Sequence, residues 1–525
     1  MSATVNDVDP KAGREFFGHP KGLSTLFMTE MWERFSYYGI RPLLILFMAT
    51  ALMNGGFGFD RPQASAIVGI YAASVYLASL PGGWVADRLL GLRRSIQYGA
   101  FLITFGHLSI GLSSFAGGKL FFFLGLIFIV LGTGLLKPNI SAIVGDLYPD
   151  GGARRDAGFS IFYMGINTGS FLGQLVTGFL GEKYGYHWGF GAAGVGMLFG
   201  LLWFSFRAQA TLGDIGKEPT RLADPAKQAK QESLVKISVA AGLAILALVV
   251  VLTATGVITI DPQVVGGYMT YVLVGLAVAF FAYVFVFGGL NSDERKRVLV
   301  IAVLFVAAAI FWAAFEQAPT SLNLFAKDFT QRQIGSFEVP ATWFQSVNSL
   351  FIIILAPVFA GVWTWLAARN IDISSPTKFA LGLACAGVGF LIMIIPANTL
   401  VETNGAIKVS AMWLVVSYLF QTFGELLVSP VGLSSMTKLS PRRYVGQMMG
   451  IWFLATAVGN LIAGLVGGSV DPEKLEQTPK LFTGTTIALM VSAVVLFVLA
   501  IPISRMMKNA GDSTTDNVEP AGASL

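Results

Sequence analysis

Charge is what this 525-residue sequence has least of. Asp, Glu, Lys and Arg supply 12% of it, about half the share usual in a soluble domain. With apolar runs of twenty or more residues from end to end, that scarcity points away from a soluble enzyme and toward a chain folded in a lipid bilayer. The net charge of +5 does not indicate nucleic acid, because the basic residues sit in short loops between apolar runs. The sequence has one cysteine, Cys385, inside the apolar run "FALGLACAGVGFLIM", so it forms no intrachain disulfide. Its three histidines, His19, His107 and His187, are too scattered for a metal site, and no cofactor is expected. G-x-x-x-x-G-K-[ST], H-E-x-x-H and G-x-S-x-G are all missing, which argues against ATP-driven work and familiar hydrolytic chemistry. The first 22 residues offer no apolar core for a cleavable signal.

What is present is a series of apolar spans, expected at 23–53, 62–90, 95–116, 119–144, 156–180 and 186–206. The polar stretch 207–233 then reads as an exposed cytoplasmic linker. Two further spans follow at 234–260 and 264–290, and six more at 298–325, 340–366, 376–396, 409–436, 444–468 and 481–507. The expected fold is an all-α polytopic membrane protein with fourteen spans in a six, two, six order. Its parts are an N-terminal tail (1–22), a first six-helix bundle (23–206), the linker (207–233), two additional helices (234–290), a second bundle (298–507) and a C-terminal tail (508–525). If the N-terminus is cytoplasmic, the inside loops hold 24 of the 35 basic residues and the outside loops eight. That bias places both termini inside. The remaining three, Arg34, Arg41 and Lys137, lie within spans. Two six-helix halves suggest a transporter with its site near the midplane, the extra pair lying at the periphery.

The first span, "MTEMWERFSYYGIRPLLILFMATALM" (28–53), carries Glu30, Glu33, Arg34 and Arg41. Each such charge costs roughly 2.5–3.5 kcal/mol at the centre of a membrane helix. At 100° per residue Glu30, Glu33, Arg34, Tyr37, Tyr38 and Arg41 share an arc of about 140°. Intramembrane charges face a bundle interior and pair there. Depth along the helices makes Lys137 a candidate partner for Glu30 and Glu33, and Glu316 in "FWAAFEQAP" one for Arg41. Glu425 stands near the middle of its span with no basic neighbour in sequence. For Asn167 and Asn348 a helix–helix hydrogen bond and a ligand contact are equally good readings. Tyr76, Trp312 and Trp452 are open to packing or pocket-lining readings.

With these residues in view, the sequence resembles the proton-dependent oligopeptide transporters, a branch of the major facilitator superfamily. "EMWERFSYYG" resembles their E-x-x-E-R-F-x-Y-Y-G signature, and "FYMGINTGSF" is similar to their helix-5 signature. "LLKPNIS", "FWAAFEQ" and "GELLVSPVGL" fit further family segments, and the likeness runs from about residue 20 to 507. The extra helix pair resembles that of bacterial members, which implies the bacterial inner membrane. The resemblance implies symport of di- and tripeptides with protons. Arg34, Arg41 and Lys137 match the positive patch for the peptide carboxylate. Tyr38, Tyr76, Asn167, Asn348 and Glu425 match ligand positions, Glu425 facing the amino group. Trp312, Ser429, Trp452 and Asn460 match pocket positions. Glu30, Glu33 and Glu316 match the proton-linked carboxylates, and Asp87 and Arg88 in "GGWVADRLLGLRR" match gate residues alongside Arg41 and Glu316. The Asp-Arg to Gly spacing there is longer than the commonest form. Helix 2 has no histidine, so the carboxylates must take the proton. The alternative cargo is nitrate or another small anion, which would leave Glu425 without an attractive role. Nothing in the sequence fixes an oligomeric state.

Overall fold

The structure is a computed structural model, and it describes residues 16–114, 118–150, 152–221, 223–371 and 373–512. Most of the expected tails, 1–22 and 508–525, lies outside the described residues. Fourteen long helices account for the expected spans. They are α1 (Lys21–Ala49), α2 (Arg61–Val85), α3 (Leu92–Leu112), α4 (Gly118–Asp146), α5 (Gly152–Lys183), α6 (Tyr186–Leu212), α7 (Pro225–Ala254) and α8 (Pro262–Phe287). After these come α9 (Ser292–Phe315), α11 (Trp343–Ala368), α12 (Ser375–Glu402), α13 (Met412–Leu439), α14 (Val445–Gly467) and α15 (Gln477–Asp512), with a short α10 (Asn323–Asp328) following α9. Eleven helical segments among the described residues are long and apolar enough to cross a membrane; α1, α3 and α5 fall short by composition. For α1 the four charges are the reason.

Several ends differ from expectation, each for a local reason. Helix α1 stops at Ala49, not 53, because Thr50 is extended and its hydroxyl returns to the Leu46 carbonyl at 2.6 Å. Gly55, at φ 80°, then turns the chain in a conformation that suits glycine. The span expected at 298–325 is interrupted. Helix α9 opens with an Asn291/Glu294 capping box and ends at Phe315; a wide π-helical turn, Ala318–Leu322, follows before α10. Pro319 has no N–H to continue the ladder. A second π turn, Ala86–Leu90, ends α2.

The polar stretch after the first six helices is part helix: α6 runs on to Leu212 and α7 starts at Pro225, capped by the Asp224 carboxylate. The intervening residues are not loose. Arg93 donates to the Gly213 carbonyl at 2.6 Å, its own amide to Gly216 O at 2.8 Å, and the Thr220 amide to Asp87 O at 2.9 Å.

Two compact units emerge. The first holds residues 1–59, 74–261 and 339–353; the second holds 60–73, 262–338 and 354–525. Within the first, glycines let helices meet backbone to backbone, as small residues do in membranes where lipid removes the usual apolar drive. Gly165, Gly169 and Gly173 of α5, four apart, face the Phe27 ring and the Met31 and Phe35 carbonyls of α1. A methyl on Gly99 of α3 would stand 2.6 Å from the Gly132 carbonyl of α4. Phe35, Ile40 and Leu44, the apolar side of α1, are therefore buried against neighbouring helices. The second unit uses the same device: a methyl on Gly424 of α13 would stand 2.7 Å from the Gly382 carbonyl of α12. Two-residue strands in the α10–α11 and α12–α13 connections pair Thr330 with Val409 and Gln333 with Glu338.

Candidate functional site

The α1 charges form one cluster in the first unit. Arg34 Nε donates to Glu30 Oε1 at 2.7 Å, the i,i+4 relation that one helix face dictates, and lies 2.8 Å from Glu33 Oε2. The Glu33 contact is an ion pair without a hydrogen bond. Glu33 instead receives the Thr133 hydroxyl of α4 at 3.4 Å. All three charged residues are at most 2% exposed. Among the described residues nothing hydrogen-bonds Arg34 Nη2 or Oε2 of either glutamate. Two carboxylates against one guanidinium leave one negative charge when both are ionised. The Lys137 ammonium of α4 acts electrostatically on Glu33 and so balances it. Lys137 Nζ itself lies 4.0 Å from the centre of the Tyr76 ring. Arg34 and Arg41 flank the Tyr37 ring, their guanidinium carbons 5.6 and 5.5 Å from its centre. Such cation–π contacts keep like charges on one face tolerable without water.

The structure divides the sequence candidates between the units. Glu30, Glu33, Arg34, Tyr38, Arg41, Tyr76, Asp87, Arg88, Lys137, Asn167 and Asn348 fall in the first. Trp312, Glu316, Glu425, Ser429, Trp452 and Asn460 fall in the second. Asn167 Nδ2 donates to the Tyr163 carbonyl one turn back at 3.0 Å, and Asn460 Nδ2 does the same to Thr456 at 2.9 Å. Those bonds leave each amide oxygen as an acceptor. Trp452 is buried with its ring against Gly432, and Trp312 lies over Gly459, where any side chain would collide. Glu316 is the cap residue directly after α9, 6% exposed, just ahead of the π turn. Asp87 and Arg88 sit inside the other π turn. Such turns recur at functional positions because they re-aim side chains and free backbone groups.

Sequence reasoning missed two features. Arg61, at the start of α2, pairs with Asp328 at the end of α10 at 2.6 Å and also donates to Val470 O at 2.8 Å, all in the second unit. In the first unit Glu182 of α5 accepts from the backbone and the hydroxyl of Thr342, 2.9 Å each, while Trp343 Nε1 donates to Leu175 O at 2.9 Å. Each joins residues far apart in sequence. Both acids and Arg61 lie at span ends, where charge is ordinary and attracts no notice.

A fourteen-helix chain with paired charges buried beneath apolar surfaces defines a polytopic membrane transporter of the major facilitator type. Comparison with known proteins gives the family. The POT family model (PTR2) matches residues 93–481. The peptide transporter YePEPT of Yersinia enterocolitica subsp. palearctica is 50% identical over 503 residues, covering 96% of this chain and 98% of its own length. The di-/tripeptide transporter of Lactococcus lactis subsp. cremoris is 38% identical over 508 residues, 95% of this chain and 98% of its own. A crystal structure of a mutant peptide transporter POT in complex with alafosfalin superposes with TM-score 0.84 at 40% identity, covering 94% of this chain and 97% of that one. The chain belongs to the POT family of transporters.

Proposed function

We propose that this protein is a proton-coupled symporter of di- and tripeptides, working by alternating access in a bacterial inner membrane with both termini cytoplasmic. The observation that carries the reading is the buried Arg34 guanidinium, whose Nε donates to Glu30 while Nη2 has no hydrogen-bond acceptor among the described residues. A free peptide brings a carboxylate, and a guanidinium with an open N–H is the side chain suited to it. The relatives named for peptide transport, and the structure holding alafosfalin, support the same cargo.

In the proposed cycle the peptide carboxylate binds Arg34 and Lys137, and Glu425 receives the amino group. Tyr38, Tyr76, Asn167 and Asn348 of the first unit and Trp312, Ser429, Trp452 and Asn460 of the second supply further peptide-binding side chains, the aromatic ones tolerating many peptide side chains. A new carboxylate beside Arg34 adds a negative charge to a cluster with no positive charge to spare. Protonation of Glu33 or Glu30 restores the balance, and each keeps one oxygen open to receive the proton. Peptide and proton are thereby bound together because a low-dielectric site does not hold uncompensated charge. Arg41, Asp87 and Arg88 in the first unit, and Glu316 and the Arg61–Asp328 pair in the second, act as gate residues.

The test is uptake of labelled dialanine into proteoliposomes under an imposed proton gradient, with nitrate as competitor. Gradient-dependent uptake that nitrate leaves unchanged supports the reading. Absence of gradient-dependent dialanine uptake, with labelled nitrate accumulated instead, would replace it with an anion carrier.

A further inference from the structure

Trp32 stands on the side of α1 opposite the ion cluster and forms one wall of a groove on the outside of the first unit. The groove, with a volume of about 460 Å³, is lined by Trp32 of α1 and by Phe199, Leu202, Trp203, Phe206 and Arg207 of α6. Small residues shape it. A methyl on Gly200 would stand 3.0 Å from Trp32 Cβ, and one on Gly196 would stand 3.3 Å from the Trp32 ring. The Trp32 and Phe199 rings meet at 5.4 Å. Five of the six lining residues are apolar; the sixth is Arg207.

Arg207 is the informative one. Its guanidinium carbon lies 5.7 Å from the centre of the Trp203 ring, and among the described residues no carboxylate pairs with it. It sits five residues before α6 ends at Leu212 and the chain turns polar. The neighbouring helix ends are basic. Lys21 opens α1 beside the end of α6, where the Thr25 and Thr211 hydroxyls meet at 2.8 Å, and Arg93 holds Gly213 O and Gln209. Lys217 is offset by Asp214 at 3.5 Å. From Phe199 to Arg207 the groove runs ~12 Å along the helix, comparable to one leaflet's half of the ~30 Å hydrocarbon core.

We propose that this groove binds an anionic phospholipid, one acyl chain against Trp32, Phe199 and Trp203 and the headgroup phosphate on Arg207. A cation backed by aromatic rings and lacking an acidic partner is built for phosphate. Basic pockets between membrane helices on the cytoplasmic side take anionic headgroups in this way. A neutral lipid fills the apolar part but leaves Arg207 unanswered. The bound lipid braces α1 from outside, directly behind Glu33 and Arg34. The assignment rests on the membrane placement of α6 alone, so a failed peptide-uptake assay would not touch it.

The test uses delipidated full-length protein titrated with phosphatidylglycerol or phosphatidylcholine carrying identical brominated chains, read by tryptophan quenching. Phosphatidylglycerol is expected to bind about fivefold more tightly, the equivalent of ~1 kcal/mol for one basic residue at the surface. Arg207→Gln abolishes that preference, Arg207→Lys keeps most of it, and Leu202→Trp weakens both lipids by filling the groove. Equal affinity for the two lipids in the unaltered protein would overturn the proposal. So would a preference that survives in Arg207→Gln, or lipid-independent protection of the groove by a second copy of the chain.

Discussion

Helices α1 and α7 are nearly equal in length, 29 and 30 residues, and they occupy opposite environments. Twenty-two residues of α1 are buried, among them Glu30, Glu33, Arg34 and Arg41; in α7 the one buried residue is Val235. The helix with charges along its middle is the inside one, and α7, whose four charges (Lys227, Lys230, Glu232 and Lys236) all precede an uncharged run from Ile237 to Ala254, is the outside one, the reverse of a water-soluble fold. The reason is the solvent. Lipid accepts apolar side chains from any direction, so nothing drives α7 inward, whereas an unpaired charge has nowhere to go but another charge. The α5 glycines that press on the α1 backbone complete the contrast, because they hold the charged face in fixed register.

The contrast breaks most severely at Arg34. Arg34→Ala leaves Glu30 and Glu33 buried without their cation. It should cost about 3–5 kcal/mol, as removal of one member of a buried pair does, and abolish peptide uptake. Adding Glu30→Gln and Glu33→Gln should recover thermal stability but not uptake; recovery of both would show the cluster to be structural. From the other side, Leu248→Arg puts a charge on the exposed face of α7, where Leu248 is 56% exposed. It should impair membrane insertion by roughly 2.5–3.5 kcal/mol while Leu248→Ala stays close to neutral, measured by glycosylation-tagged insertion.

The Arg61–Asp328 pair is about one-fifth exposed on each side, so its worth is near the ~1 kcal/mol of partly solvated pairs. Arg61→Ala should change uptake several-fold with little loss of stability, and the swap Arg61→Asp with Asp328→Arg should restore much of it. The smallest effect belongs to His19, outside the membrane spans. Its Nδ1 meets the Tyr148 hydroxyl at 2.9 Å, and burial, then the Arg154 charge, hold its pKa below the usual 6.5. The folded state thus binds fewer protons there than the unfolded state. The contribution is complete above pH 6.5 and is lost as pH falls through the folded pKa. Amide exchange in residues 16–24, corrected for intrinsic rates, should quicken from pH 7.5 to 5.5, and His19→Phe should flatten that change.

Much of this fold was readable in the sequence because the bilayer demands long uninterrupted apolar runs, and fourteen of them stand out. Where apolarity and helix part company, the reading slipped. The run to residue 53 carries apolar residues past the Thr50 cap, up to the Asn54-Gly55-Gly56 turn, and the run past 315 contains Pro319. The polar residues after 206 read as an exposed linker because composition does not reveal their backbone bonds with Arg93 and Asp87. At the site, periodicity placed Glu30, Glu33, Arg34 and Arg41 on one face, since that needs only helical geometry. It did not reveal that Arg34 itself pairs with both glutamates, for rotamer choice decides that. Arg61–Asp328 and Glu182–Thr342 were invisible because partners 267 and 160 residues apart leave no local pattern.

The central claim is that the α1 carboxylates carry the proton that accompanies peptide. Glu33→Gln combined with Glu30→Gln tests it most directly in proteoliposomes, with gradient-driven dialanine accumulation and peptide exchange without a gradient measured on the same preparation. The account predicts that accumulation is lost while exchange persists, because neutral amides beside Arg34 still leave Nη2 for the peptide carboxylate. Accumulation undiminished in that variant would contradict it.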